Sequence, residues 1–315
     1  MARRCRRTRR SSGLNLLVAV NKPYGMVTRK LDNEVANALQ DDGVGHIGTL
    51  DPAVTGVVVL CVGQACKLIS LIEDGKKKSY DATIEFGTQT DTDDAQGSVI
   101  RSAAVPACVG DEAYARQIVS SFVGEQDQVP PKYSAIKVDG VRAYDRARAG
   151  EEFELTARRV CVFDAALLGI EGTEPLRWKC SFSVSAGTYV RALARDMGVA
   201  VGSAAHLAEL CRVSSGNVEL NDCVTLDAVR QAGKEGIASV AIDPAKVLGL
   251  PIRRLSAQEL AMVQNGRSIA CAEDLAQGQL VSLVRDQRLY GVWTVREGRL
   301  YAHTNCPLGI EGVRT

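Results

Sequence analysis

A chain of 315 residues, 46% hydrophobic and 24% charged, is long enough to bury a sizeable core and has an ordinary globular composition. No apolar run reaches the roughly 18–20 residues that span a bilayer, so the sequence holds no candidate membrane helix. The net charge of +1 argues neither for nor against a nucleic-acid partner, and the distribution of charge has to be read instead.

Six of the first ten residues are arginine, which marks residues 1–13 as a basic arm expected to be disordered. Binding to phosphates is one use for such an arm and an idle tail is the other. The apolar stretch after it, Leu14 to Val20, is short and runs into Asn21-Lys22-Pro23 without a small-residue cleavage site, which argues against a signal peptide. The ten cysteines contain no C-x-x-C pair, and Cys61, Cys161 and Cys180 sit in apolar strand-like runs. Reduced core thiols in a cytoplasmic protein fit that pattern. With only His46, His206 and His303 available, no metal-ligand cluster stands out.

Leu16–Val20 reads as a strand broken by the turn Asn21–Gly25, and residues 33–40 as a short helix. Residues 41–52 are glycine-rich with little periodicity and read as a loop, followed by a buried strand at 57–62. Ala65, Leu68, Ile69 and Ile72 recur at helical spacing within 64–74, and 79–86 alternates as a strand. The acidic stretch Thr90–Gly97 has the composition of a calcium loop but lacks its closing glutamate, so a solvated turn or a structural loop is expected. A helix follows at 113–122. The segment 124–150 then interleaves Lys132, Tyr133, Lys137, Arg142, Tyr144, Arg146 and Arg148, a pattern suited to stacking on bases and neutralising phosphates, or equally to an ordinary charged surface.

Strands near 160–168 and 178–185 lead to a helix capped by Thr188 and running to about Val201. Its buried stripe is Val190, Leu193, Ala194, Met197 and Val201, with Arg191 and Arg195 one turn apart off that stripe. Pro244 and Pro251 flank a boundary. Beyond it, a helix at 256–264 and strands near 281–284, 289–295 and 299–303 form a small β-rich module.

The densest chemical signal is Gly45-His46-Ile47-Gly48-Thr49-Leu50-Asp51-Pro52-Ala53-Val54-Thr55-Gly56. An aspartate before a proline in a loop is usually a turn former. Here glycines permit close approach of a ligand, a histidine shares the loop, and a buried strand fixes its end. This segment resembles the catalytic motif G-H-x-G-T-L-D-P-x-x-T-G of the bacterial TruB family of tRNA pseudouridine synthases. The likeness runs from about Asn15 to Val224. It takes in Asn21-Lys22-Pro23, Lys78-Ser79-Tyr80, Thr90 to Gly97, Val129 to Lys137, Gly187-Thr188-Tyr189-Val190-Arg191 and Ala205-His206-Leu207, in family order. It departs at Met26-Val27-Thr28-Arg29-Lys30, where the family commonly has serines, and at Ala53-Val54 in place of Leu-Ala.

The resemblance implies that Asp51 is the essential carboxylate, Tyr80 the tyrosine packed on the target base, and Tyr189 and Arg191 neighbours of the carboxylate, the arginine pairing with it. It places Leu210 against the uracil, His46 in disruption of the target loop, and Lys22 and Pro23 in support of the active-site loop. The implied fold is α+β: a mixed, largely antiparallel sheet with surrounding helices over 14–245, carrying an RNA-binding insertion at about 124–150. A small PUA-like β-rich domain at 250–315 completes it. The implied reaction isomerises the T-arm uridine of tRNA at position 55, by a monomer with no cofactor, metal or obligatory protein partner. Two alternatives stand beside it: a guide-RNA-dependent synthase, which is expected to lack the insertion, and an RNA-binding or tRNA-folding protein without catalysis, which would have no need of Asp51, Tyr80 and Arg191 together.

Overall fold

The computed structural model describes residues 11–73, 77–271 and 275–314. Most of the arginine-rich arm therefore lies outside the described residues. At its end, Ser12 donates from both its backbone nitrogen and its hydroxyl to Asp41 Oδ2, at 2.8 and 2.6 Å. The chain folds into two compact units, one built from 1–74 with 214–315 and the other from 75–213.

In the first unit the strand Val54–Val62 is central. Leu16–Lys22 pairs with it antiparallel, from Leu16 opposite Val62 to Lys22 opposite Gly56, and Val44–Ile47 pairs with its last four residues. The run Val57–Val62 is buried throughout, which explains why it is continuously apolar rather than alternating. The expected loop at 41–52 thus contains a strand. Gly43 and Gly45 hide it from pattern reading, and it forms because the neighbouring strand offers a partner. The helix Thr28–Leu39 starts five residues earlier than the pattern indicates. Its first turn has no side-chain cap, and its buried face includes polar Thr28 and Asp32 beside Leu31, Val35 and Leu39.

The C-terminal β-rich region is present as a five-stranded sheet. Ile252–Arg254 lies parallel to Leu280–Arg285, and antiparallel pairs then join Arg288–Arg296, Arg299–Glu311 and Ile269–Ala270. Ser256 and Glu259 form a reciprocal capping box on the helix Ala257–Gln264. The compact units do not divide the chain at 245–250. Val284, Leu289, Val292 and Ile310 share one apolar core with Leu17, Val57 and Val59, while Trp293, Val281 and Val263 build a second core on the sheet's other side.

In the second unit the strand order is Ala205–Ser215, Lys78–Phe86, Arg177–Val184, Arg158–Glu171, Gly124–Gln128. Trp178 is fully buried, packs tilted at 60° against Phe86 with ring centroids 4.5 Å apart, and donates its indole N–H to Val109 O at 2.9 Å. The insertion is more regular than its sequence indicates. A two-residue hairpin, Lys137–Val138 with Val141–Arg142, leads into the helix Ala143–Arg148.

The helix Val190–Ala200 buries Val190, Leu193, Ala194 and Met197, as the apolar stripe requires. Two expectations for it are corrected. Thr188 does not cap it; Tyr189 occupies that position, and the Thr188 hydroxyl contacts Ser185 Oγ at 3.1 Å. Arg191 is buried with the stripe rather than apart from it. Near the helix end, Gly198 meets the chain at 204–205 so closely that a Cβ would lie 2.4 Å from Ala205 N. Replacing a helical glycine by alanine ordinarily stabilises by roughly 0.5–1 kcal/mol. Here backbone blocks the new methyl, so Gly198→Ala is expected to destabilise by about 2–3 kcal/mol in urea unfolding. An unchanged or raised midpoint would show that the chain at 204–205 yields.

Candidate active site

The loop that carries Asp51 is held by its backbone on both sides of that residue. Before it, Leu50 donates to Thr28 Oγ1 at 3.0 Å and accepts from the same hydroxyl at 2.8 Å, with Thr28 fully buried. Thr28 therefore supplies a hydroxyl contact to this loop. After it, Pro52 O accepts from Gly25 N at 2.8 Å and from Lys22 Nζ at 3.2 Å. Lys22 also donates to Pro23 O and Met26 O, at 3.0 and 2.7 Å, and its side chain has no exposure at all. A buried ammonium is tolerable only with its donors satisfied, and carbonyl oxygens do that here. Gly48, at φ +69°, turns the loop, and its N–H donates to Glu73 Oε1 at 2.6 Å. Asp51 itself is exposed on this fixed backbone. Lys22, Pro23, His46 and Asp51 are thus gathered in the first unit.

His46 lies on the strand Val44–Ile47. Its Nδ1 is 2.9 Å from both carboxylate oxygens of Asp32, and its Nε2 is 3.0 Å from Thr49 Oγ1.

The second unit holds Tyr80, Tyr189, Arg191 and Leu210. Tyr80 is buried on Lys78–Phe86, opposite Phe182. Leu210 is half-buried on Ala205–Ser215. Tyr189 is fixed through its backbone: its N–H donates to Gln128 Oε1 at 2.9 Å, and its carbonyl accepts from Gln128 Nε2 at 3.1 Å. Arg191 donates to Thr92 O and Tyr133 O, each at 3.0 Å, and lies 3.4 Å from Asp94 Oδ2. One turn on, Arg195 donates to Asp93 Oδ2 at 3.0 Å, Val129 O at 2.9 Å and Asp196 Oδ1 at 2.9 Å.

The acidic turn is therefore a structural loop rather than a solvated one. Asp93 and Asp94 face the two arginines, and Leu207 N donates to Asp93 O at 3.0 Å. Burial pushes the Asp93 carboxyl above the usual carboxylate range, against Arg195, a hydrogen bond from Gln89, and Arg191. Sequence reading did not single out Thr28 as a support of the Asp51 loop in the first unit, nor Gln128, Asp93, Asp94 and Arg195 as partners in the second. The i, i+4 spacing of Arg191 and Arg195 beside an Asp-Asp pair was the available signal.

Among the described residues no group of three or more His, Cys, Asp or Glu is arranged to hold a metal ion, and no helix is long and apolar enough to cross a membrane. Cys61 and Cys180 are buried thiols, and burial pushes Cys180 up to about 12.

This architecture is that of a pseudouridine synthase. The chain superposes on a chain of the Cbf5-Nop10-Gar1 complex with a TM-score of 0.68, 21% identity and coverage of 94% of this chain and 85% of that one. A chain of an H/ACA RNP bound to a substrate RNA containing 2′-deoxyuridine gives 0.67, with 20% identity and coverage of 93% and 85%. Residues 37–190 match the N-terminal domain of the TruB family pseudouridylate synthases, and residues 191–244 match the tRNA pseudouridylate synthase B C-terminal domain. The tRNA pseudouridine synthase B of Ruegeria sp. (strain TM1040) is 33% identical over 94% of this chain and 97% of its own. That of Corynebacterium aurimucosum is 38% identical over 90% and 97%. The chain belongs to the TruB family of pseudouridylate synthases.

Two outcomes follow from the geometry. Lys22→Met keeps the side-chain length but takes the ammonium donor from Pro23 O and Met26 O, while Pro52 O keeps its bond from Gly25 N, and is expected to cost about 2–3 kcal/mol in chemical unfolding. A loss under about 1 kcal/mol would mean that water enters to replace the ammonium. For Asp93, a native pKa above the unfolded one means that the folded state binds the proton more tightly, so its contribution becomes less favourable as pH rises. The stability of the wild type relative to Asp93→Asn is therefore expected to fall from about pH 4 upward and then level off. Arg195→Ala should steepen that fall. Urea midpoints across the range check both, and a difference that rises with pH would show that the arginines outweigh burial.

Proposed function

We propose that this chain isomerises the uridine at position 55 in the T-arm of tRNA to pseudouridine, with Asp51 as the essential carboxylate. The observation that carries the reading is the loop: an exposed aspartate on a backbone clamped at Leu50 and Pro52, in a segment that resembles the family's catalytic motif and lies within the residues matched by the family's N-terminal domain. A group that attacks a flipped-out nucleotide has to be placed before the substrate arrives, and a pinned loop does this.

The reaction breaks the N-glycosidic bond, turns the uracil and rejoins it through carbon. The Asp51 carboxylate attacks C6 of the ring or C1′ of the ribose, or takes the C2′ proton. Arg191 is its counter-charge and Tyr189 its neighbour. Tyr80 offers an aromatic face that offsets lost base stacking, and Leu210 packs on the uracil. His46 engages the T-loop as it opens. Lys22 and Pro23 hold the Asp51 loop. An isomerisation has no net redox change and no group donor, so none of these steps calls for a cofactor.

The insertion supports a stand-alone enzyme over a guide-dependent one. Lys132, Lys137, Arg142 and Arg148 are exposed, and Arg142 and Arg148 flank the Tyr144 ring at 5.8 and 5.5 Å. That surface suits phosphates and splayed bases of an RNA loop. The relatives that share this chain's length are named as tRNA enzymes.

Incubation with an unmodified T-arm hairpin, followed by chemical mapping of pseudouridine and primer extension, tests this directly. The wild type is expected to modify the T-loop uridine. Asp51→Asn should yield no product while binding the hairpin within about threefold of wild type, since the lost group acts in the transition state. No product from the wild type, or turnover by Asp51→Asn, would overturn the assignment.

A further inference from the structure

Asp32 is 2% exposed on the face of Thr28–Leu39 that otherwise buries Leu31, Val35 and Leu39. A carboxylate there is costly unless something inside the protein satisfies it. Arg29 Nη1 stands 3.4 Å away, but its side chain is 75% exposed and the pair is largely screened by water. The close partner is His46, with Nδ1 at 2.9 Å from both oxygens. We propose that Asp32 is a positioning residue of the enzyme, fixing the ring of His46 for its encounter with the RNA. The proposal rests on the reading in which His46 engages the T-loop.

The chemistry of the contact determines the ring's state. A carboxylate has no proton to give, so Nδ1 is the donor. In the neutral ring Nε2 is then an acceptor, and Thr49 Oγ1 lies 3.0 Å from it. A ring flipped about its Cβ–Cγ bond would turn a carbon towards Asp32 and leave the carboxylate without its donor. Asp32, His46 and Thr49 thus form a chain from the helix core to an exposed residue two positions before Asp51. Of the charged groups tied to this loop, Glu73 accepts from Gly48 N and Lys22 donates to Pro52 O, rather than meeting the ring. A side chain held in one orientation before binding loses less rotational freedom when the ligand arrives. The effect is therefore expected in RNA capture rather than in the bond-breaking step.

The test uses the full chain with [15N]histidine and the T-arm hairpin. Long-range 1H–15N spectra, with His46 assigned through His46→Ala, are expected to show the Nδ1–H form in the wild type. Asp32→Leu removes the acceptor while keeping an apolar side chain in the core. It is expected to lose that form and to raise KM about tenfold with kcat little changed. Asp32→Asn keeps an oxygen that accepts from Nδ1–H, and is expected to retain both the tautomer and a KM near wild type. Should leucine disturb the core, as judged by melting, Asp32→Ala makes the same comparison. An unchanged tautomer and KM in Asp32→Leu, with His46→Ala impaired, would make Asp32 a core residue only and overturn the proposal. An unchanged KM in His46→Ala would instead refute the RNA-engaging role of His46, and the proposal would fall on that separate result.

Discussion

The ammonium of Lys22 is the constraint around which the loop that carries Asp51 is organised. Its three bonds reach carbonyls of Pro23, Met26 and Pro52, two in the turn that follows its own strand and one 30 residues ahead. These carbonyls lie outside the strands Leu16–Lys22 and Val54–Val62, and the ammonium gives them a partner. One cation supplies both segments, so turn and loop move as one body. Gly25 and Thr28, which flank that turn, add their bonds to Pro52 and Leu50. Asp51 can then be solvent-facing without being mobile, a combination that a free loop does not provide.

The second unit solves a similar problem with guanidinium groups. Arg191 and Arg195 present two forks from one side of a helix, and each takes a carboxylate of the acidic turn together with a carbonyl at the root of the insertion. Planar, multi-donor groups suit this bridging role better than ammonium does. The helix that carries them is short and tightly docked through Gly198, so the forks have little freedom to drift. Burial of Asp93 is the counterpart: the carboxyl is held where water would ordinarily prefer it not to be, and the arginines offset part of that cost.

Much of this was legible in the sequence. The buried run at 57–62, the apolar stripe of the helix at 190–200 and the C-terminal strands all carry periodicity strong enough to read. The Asp51 loop was singled out by motif order rather than by periodicity. What stayed hidden depends on contacts between distant residues. The strand Val44–Ile47 has no alternation of its own and exists through its neighbour. Arg191 looked like a residue off the buried stripe because the pattern counts apolar side chains, whereas its burial comes from hydrogen bonds to Thr92 and Tyr133. Thr28 and Asp32 were unreadable for the same reason: each is a polar residue on an apolar face, and only a partner 14 to 22 residues away explains it.

Gln128 ends the strand Gly124–Gln128, and its amide grips both backbone groups of Tyr189. The joint has a mechanical meaning. A pull on the chain beyond residue 128 reaches the start of the helix that carries Arg191 through this amide as well as through the sheet. A load on this segment and the seating of Tyr189 are coupled through the Gln128 amide, beside the bonds of Arg191 to Tyr133 O and Arg195 to Val129 O, in the manner of a hinge pin. Damage at either end of that pin would be felt at the other, so the energetic effects of changes in the insertion and at residue 189 are not separable by adding single substitutions.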